Sequence, residues 1–108
     1  MIPRDAQIFI ALDPIDMRWS FDRLAGIAHA HIGLAARSGA LFVFFGKRRS
    51  ALKVLFSDGT GVCIFYKRIH RGTFAIPEPA TATSETIAIE PSELEALLDG
   101  LEIRRRFH

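Results

Sequence analysis

A chain of 108 residues is long enough for one hydrophobic core and too short for two. With 49% apolar residues, nine Phe and 24% charged residues, the composition excludes a disordered chain, and the single cysteine excludes an internal disulfide framework. No run approaches the roughly 20 apolar residues that cross a bilayer, and the acidic start MIPRDAQIFIALD lacks a small-residue cleavage site. A cytoplasmic protein with no membrane association is therefore expected.

The formal net charge is only +2, but its distribution is uneven. Residues Gly39 to Phe74 hold seven of the fourteen Lys and Arg against one acid, Asp58, for a net of +6. Residues 1–38 balance four cations against four acids, and residues 75–108 set three cations against seven acids, a net of −4. Clustered cations attract polyanions over a Debye length, so the central segment is where a charged partner is sought.

In chain order, Gln7 to Leu12 is an apolar, β-branched run closed by Asp13 and Pro14, which predicts a buried strand. Ser20 then caps a helix expected over 20–36, with Phe21, Leu24, Ala25, Ala28, Ile32 and Ala35 at three- and four-residue spacing. Gly26 and Gly33 each weaken that helix by roughly 1 kcal/mol, so its stability depends on docking its apolar face. Leu41 to Phe45 is apolar on both alternating faces, predicting a strand covered on two sides, by the fold or by a partner. After the turn Gly46 to Ser50, Leu52 to Ser57 and Val62 to Lys67 flank Asp58-Gly59, the strongest short-range signal of a β-hairpin.

Thr73 to Ile76 suggests a further strand, and Pro77 to Ser84, with two prolines and no periodicity, reads as a linker. Thr86 to Ile89 is a short extended run. Glu90-Pro91-Ser92-Glu93 opens a helix with a stripe of Leu94, Leu97, Leu98 and Leu101, which Gly100 is placed to end. The expected architecture is an α+β fold, a small mainly antiparallel sheet with one packing helix and a short C-terminal helix. Its organisation is a core over 1–76, a linker over 77–84 and a strand-helix segment of the same domain over 85–108.

No catalytic, metal-binding or cofactor-binding constellation emerges. His29 and His31 are two apart and diverge on a helix, unlike a chelating pair at four-residue spacing. Cys63 stands among Val62, Ile64 and Phe65 as a small core residue rather than a nucleophile. Asp13, Asp16 and Asp22 suit a turn and a helix start, and Gly59 and Gly61 are turn glycines without phosphate-loop context. The cations Lys47, Arg48, Arg49, Lys53, Lys67, Arg68 and Arg71 recur at the ends of adjacent apolar runs, interspersed with Phe42, Phe44, Phe56, Phe65 and Tyr66. Fixed Lys and Arg donors suit phosphates and aromatics suit unpaired bases, although strand aromatics are more often core. No named reader motif is present.

The stretch DMRWSFDRLA at 16–25, followed by SGALFVFFGKRRSALKVLFSDGTGVCIFYKRIHRGTF, resembles the TnpB accessory protein of the insertion-sequence-sixty-six family of bacterial transposons. That family is distinct from the RNA-guided nuclease sharing the TnpB name. The resemblance rests on Asp-Met-Arg, Phe-Asp, Gly-Lys-Arg-Arg, Leu-Lys, Asp-Gly and Lys-Arg at matching spacings, with weaker agreement to Gly100. Trp19 stands where the family pattern has Lys, Arg23 where it has Gly, and Phe45 where it has Arg.

The resemblance implies a non-catalytic accessory factor that works beside a separate transposase, which carries out the strand cutting. The residues then predict DNA contact through Lys47, Arg48, Arg49, Lys53, Lys67, Arg68 and Arg71, with transposon ends as candidate targets. Arg18 is a weaker candidate, since Asp16 or Asp22 could hold it structurally. Expected partners are DNA, the transposase and the other accessory protein of the element, with self-association open. The alternative is an interaction module that assembles the transposase complex, docking through the apolar run Leu41 to Phe45 or the acidic C-terminal helix. An enzyme is the remaining class, and the lack of a convergent acid, base or nucleophile set argues against it.

Overall fold

The computed structural model describes residues 4–32, 39–76 and 86–100. Five strands and two helices follow in the order β1 (Ile8–Ile15), α1 (Phe21–Ile32), β2 (Leu41–Gly46), β3 (Ala51–Ser57), β4 (Val62–Arg68), β5 (Thr86–Ile89) and α2 (Pro91–Leu98). They form one sheet in the order β4-β3-β2-β1-β5, whose pairings are antiparallel except for β1 with β2. The expected α+β class and mainly antiparallel sheet are therefore observed. The parallel pair adds something that local patterns do not reveal: α1 lies on the crossover between two neighbouring strands.

β2 occupies the middle of the sheet, and five of its six residues are buried. Val43 and Phe45 join Ile8, Ile10, Leu52, Val54, Ile87 and Ile89 under Leu94 and Leu97 of α2. Phe42 and Phe44 join Ala11, Ile15 and Leu55 under Leu24 and Ala28 of α1. The two helices thus cover opposite faces, and the doubly apolar pattern of Leu41 to Phe45 is satisfied within the chain. No face of this strand is left to dock a partner.

Several local expectations change in detail. β1 continues through Asp13 and Pro14 to Ile15, with a shift in pairing between Ala11 and Ile15. A strand tolerates proline at such an irregularity because no ladder donor is needed there. Phe21, expected in the apolar stripe, is 46% exposed, and α1 meets the sheet one turn later at Leu24. Residues 33–36 of the expected helix, the expected linker 77–84 and the tail 101–108 lie outside the described residues.

No strand forms at residues 73–76. Phe74 is nonetheless buried, its ring 5.9 Å from that of Phe45, while its N–H donates to the Arg49 carbonyl. One backbone bond and one anchored ring hold this segment without a ladder. At the other end, β5 pairs with β1 in the same sheet. The Glu93 carboxylate accepts from the Glu90 N–H before Pro91, and Gly100 takes a φ of 77° after α2, as the cap signals predicted.

The β3–β4 hairpin closes where the Asp-Gly pair indicated. Gly59 has a φ of 94°, and the Asp58 N–H donates to the Gly61 carbonyl. Asp58 Oδ1 accepts from the Thr60 N–H, the Thr60 hydroxyl and the Gly61 N–H, each at 2.9 Å. These bonds, first those from Thr60, lower its carboxyl from an ordinary 3.8 to about 2. A depressed carboxylate stabilises the fold above its unfolded pKa and loses that contribution as pH falls through the folded value. Asp58→Ala should therefore lower stability at neutral pH, with the gap to the parent narrowing between about pH 4 and pH 2. Urea unfolding across a pH series measures this, and a gap that stays constant over that range would refute it.

Candidate nucleic-acid interface

Three connecting segments meet at the carboxyl end of the parallel pair. Ile15 at the end of β1 lies beside Gly46 at the end of β2, which brings the 16–20 loop against the 46–50 turn. Gly46 packs closely against this loop: a Cβ here would come to 2.9 Å from Met17 Cγ, so a larger residue must displace the Met17 side chain. Ala51 pairs with Arg68, the Ile69 N–H donates to the Ser50 carbonyl, and the Phe74 N–H donates to the Arg49 carbonyl. The segment after β4 is thereby tied to the same turn. The basic clusters of Gly46 to Ser50 and of Lys67 to Arg71 therefore converge at the end opposite the Asp58 turn.

The seven predicted cations take three different positions. Lys47, Arg48, Arg49, Arg68 and Arg71 are exposed at this end. Lys67 points to the α2 face and donates to the Leu98 carbonyl, where a cation also complements the negative end of the helix dipole. Lys53 points to the α1 face, is only 7% exposed, and donates to the Trp19 carbonyl at 2.8 Å. Its ammonium also lies 5.0 Å from the centroid of the Tyr66 ring. The charge is desolvated but partnered, which makes Lys53 a brace between β3 and the 16–20 loop.

Trp19 and Arg23 are not among the seven, yet they extend this end. The Arg23 guanidinium sits 4.4 Å from the centroid of the Trp19 ring. The two departures from the family pattern in this region are thus one cation–π contact. Together with Lys53, Tyr66 and Arg68, whose guanidinium donates to the Tyr66 hydroxyl at 3.1 Å, they form a row of alternating cations and aromatics. Ala11, Asp13, Pro14, Ile15, Trp19, Arg23 and Ile27 line an open cavity of about 290 Å³ beside that row. Phe45, the third departure, is a core residue against Phe74. The sequence signals Trp19 and Arg23 only as substitutions at two positions four apart.

Arg18 is held by Asp16, the structural role open to it from the sequence. Its guanidinium holds both oxygens of Asp16, one of them at 2.6 Å, while the side chain stays 89% exposed. These bonds hold the Asp16 carboxyl well below the usual range and raise the Arg18 pKa. Arg49 is the one described non-glycine residue with positive φ, at 55°, a conformation that disfavours a side chain. The Cys63 thiol is pushed up by burial and then by Asp58, so its reactive thiolate form is disfavoured. Among the described residues no three His, Cys, Asp or Glu gather as a metal site, and no helix is long and apolar enough to cross a membrane.

The described residues thus form an α+β sheet with a basic, aromatic-flanked end. The chain belongs to the family described as IS66 Orf2 like protein, whose family model matches residues 6–107. Membership points to an accessory role in transposition. Two relatives from Sinorhizobium fredii are similar to it. Uncharacterized protein y4hO is 41% identical over 106 residues, spanning 96% of this chain and 90% of its own length. Uncharacterized protein y4jC is 26% identical over 102 residues, spanning 94% and 85% respectively. No solved structure matches.

The brace role of Lys53 has a measurable consequence. Lys53→Met keeps the apolar stem but leaves the Trp19 carbonyl without its donor, at a cost of about 1–3 kcal/mol. Denaturant unfolding should show this loss, and emission from Trp19, the single tryptophan, should shift as its loop is released. Unchanged stability and emission would mean that the bond holds nothing in place.

Proposed function

We propose that this protein is a non-catalytic accessory factor of transposition that binds DNA directly through the end formed by the 16–20 loop, the 46–50 turn and the segment after β4. The observation that carries the reading is the convergence of five exposed cations, Lys47, Arg48, Arg49, Arg68 and Arg71, from two sequence-distant segments tied by backbone bonds. Phosphates are the ligands such fixed donors suit. Arg49 strengthens the case, since a guanidinium is kept at a backbone position that glycine would occupy without strain. Lys53 and Lys67 act here as supports, the first under Tyr66 and Trp19 and the second at α2. Trp19 and Tyr66 add aromatic surface on which an unpaired base of a transposon end can stack.

Phosphate contact is then the main source of affinity, and strand chemistry is left to the transposase. Arg48→Ala with Arg49→Ala should weaken duplex binding by roughly eightfold at 0.1 M salt for each phosphate that is no longer neutralised, equally for element-end and scrambled sequences. Fluorescence anisotropy with labelled duplexes measures the change. Parent-like affinity in the double variant would overturn the assignment of this end as the DNA-binding surface. If that variant instead failed only to retain the transposase, a protein-docking role would take its place.

A further inference from the structure

β4 closes one edge of the sheet, and among the described residues no strand lies beyond it. An open edge offers unpaired N–H and C=O groups as a template for another strand, and sheets usually blunt it with proline, a bulge or inward charge. β4 has no proline and pairs with β3 through seven residues in unbroken register, with Lys67 and Arg68 at one end only. It carries exposed apolar surface, with Phe65 and Tyr66 in its middle each 45% exposed and Val62 at its start 36% exposed. β5, at the other edge, has four residues.

The hydrogen-bond parity of this edge follows from two bonds at the ends of the ladder. The Ile69 N–H donates to Ser50 and the Asp58 N–H donates to Gly61, so the pairs Ser50–Ile69 and Asp58–Gly61 are hydrogen-bonded pairs of the β3–β4 ladder. Alternation then assigns the odd-numbered residues of β4, Cys63, Phe65 and Lys67, to bonds with β3. The backbone groups of Val62, Ile64, Tyr66 and Arg68 face outward.

We propose that β4 is a self-pairing edge: two copies of this chain join β4 to β4, antiparallel, about a twofold axis through Phe65, making one continuous sheet. This register uses the whole strand. Val62 pairs with the second copy's Arg68 and Ile64 with its Tyr66, so all four outward-facing residues exchange backbone bonds. Phe65 stands opposite Phe65 in the closer, non-hydrogen-bonded class of pair, with aromatic and β-branched neighbours on the other face. A shift of the axis to Ile64 leaves Arg68 outside the paired strand, and a shift to Tyr66 leaves out Val62.

Charge favours the same arrangement. Antiparallel pairing sends the Lys67–Arg68 ends of the two strands to opposite ends of the seam, and turns the Asp58 hairpin of one copy toward the Arg71 segment of the other. The interface is isologous and closes at two copies. It leaves the 46–50 turn free in each copy, and Tyr66 and Arg68 enter the seam through their backbone groups, with side chains directed away from the plane of the sheet.

The test combines solution mass with a site-specific crosslink. Residues opposite each other in a non-hydrogen-bonded pair have Cα atoms about 4.5 Å apart, within disulfide range. In the full chain carrying Cys63→Ser, Phe65→Cys should form a disulfide-linked dimer under mild oxidation at least about tenfold faster than Thr60→Cys, which is also exposed but far from the axis. Sedimentation equilibrium of the parent should show a dimer, and Phe65→Lys, which sets two ammonium groups face to face, should raise the dissociation constant at least about tenfold. A parent that stays monomeric at about 0.1 mM, or crosslinking of Phe65→Cys no faster than Thr60→Cys, would overturn the proposal. Phe65 is half exposed and outside the core, so loss of fold is not the expected effect of either substitution.

Discussion

Burial of β2 on both faces is the constraint from which the rest of this protein follows. A central strand made of Leu41, Phe42, Val43, Phe44 and Phe45 needs an apolar cover on each side, and α1 and α2 supply one each. Placing α1 on one face requires a crossover between β1 and β2, which makes that pair parallel and brings both strands to the same end. The connections that leave that end are the 16–20 loop and the 46–50 turn. The antiparallel hairpin of β3 and β4 then returns a third segment to it. The basic end is therefore a result of core packing, with five exposed cations carried there by backbone geometry.

Gathering like charges has an energetic cost, and the structure shows how it is offset. Backbone bonds from Arg49 to Gly46, from Phe74 to Arg49 and from Ile69 to Ser50 fix the segments regardless of side-chain charge. Lys53 is withdrawn beneath Tyr66 and bonded to the Trp19 carbonyl, while Lys67 is turned toward α2. Asp16 and the Arg18 that it holds sit on the same side, with Lys47 adding its field to the carboxylate. What remains on the surface is a set of exposed cations carried by backbone segments that are bonded to one another.

Much of this was legible in the sequence, and the exceptions share a cause. The Asp58-Gly59 turn, the Pro91 helix start and the Gly100 stop depend on local backbone chemistry, and each stands where its residues indicated. The convergence of Gly46 to Ser50 with Lys67 to Arg71 could be read because a hairpin returns its ends together. The parallel pairing of β1 with β2 could not, since it depends on contacts across 33 positions, as between Ile8 and Leu41. The inward turn of Lys53 was hidden for a related reason. Its alternation in β3 specifies a face, but only the tertiary fold places Trp19 and Tyr66 over that face. Phe74 shows the converse case, an apolar residue whose burial needs no strand.

Phosphate binding at the basic end is tested most directly by the salt dependence of duplex DNA binding by the unmodified protein, followed through quenching of Trp19. Contact of four or five phosphates by the exposed cations predicts a slope of log K against log salt of about −3.5 to −4.5. Quenching with a slope in that range would establish the basic end as a phosphate-binding surface. A slope near zero, or no binding at low salt, would contradict phosphate binding at this end and leave the cations without the partner that their arrangement suits.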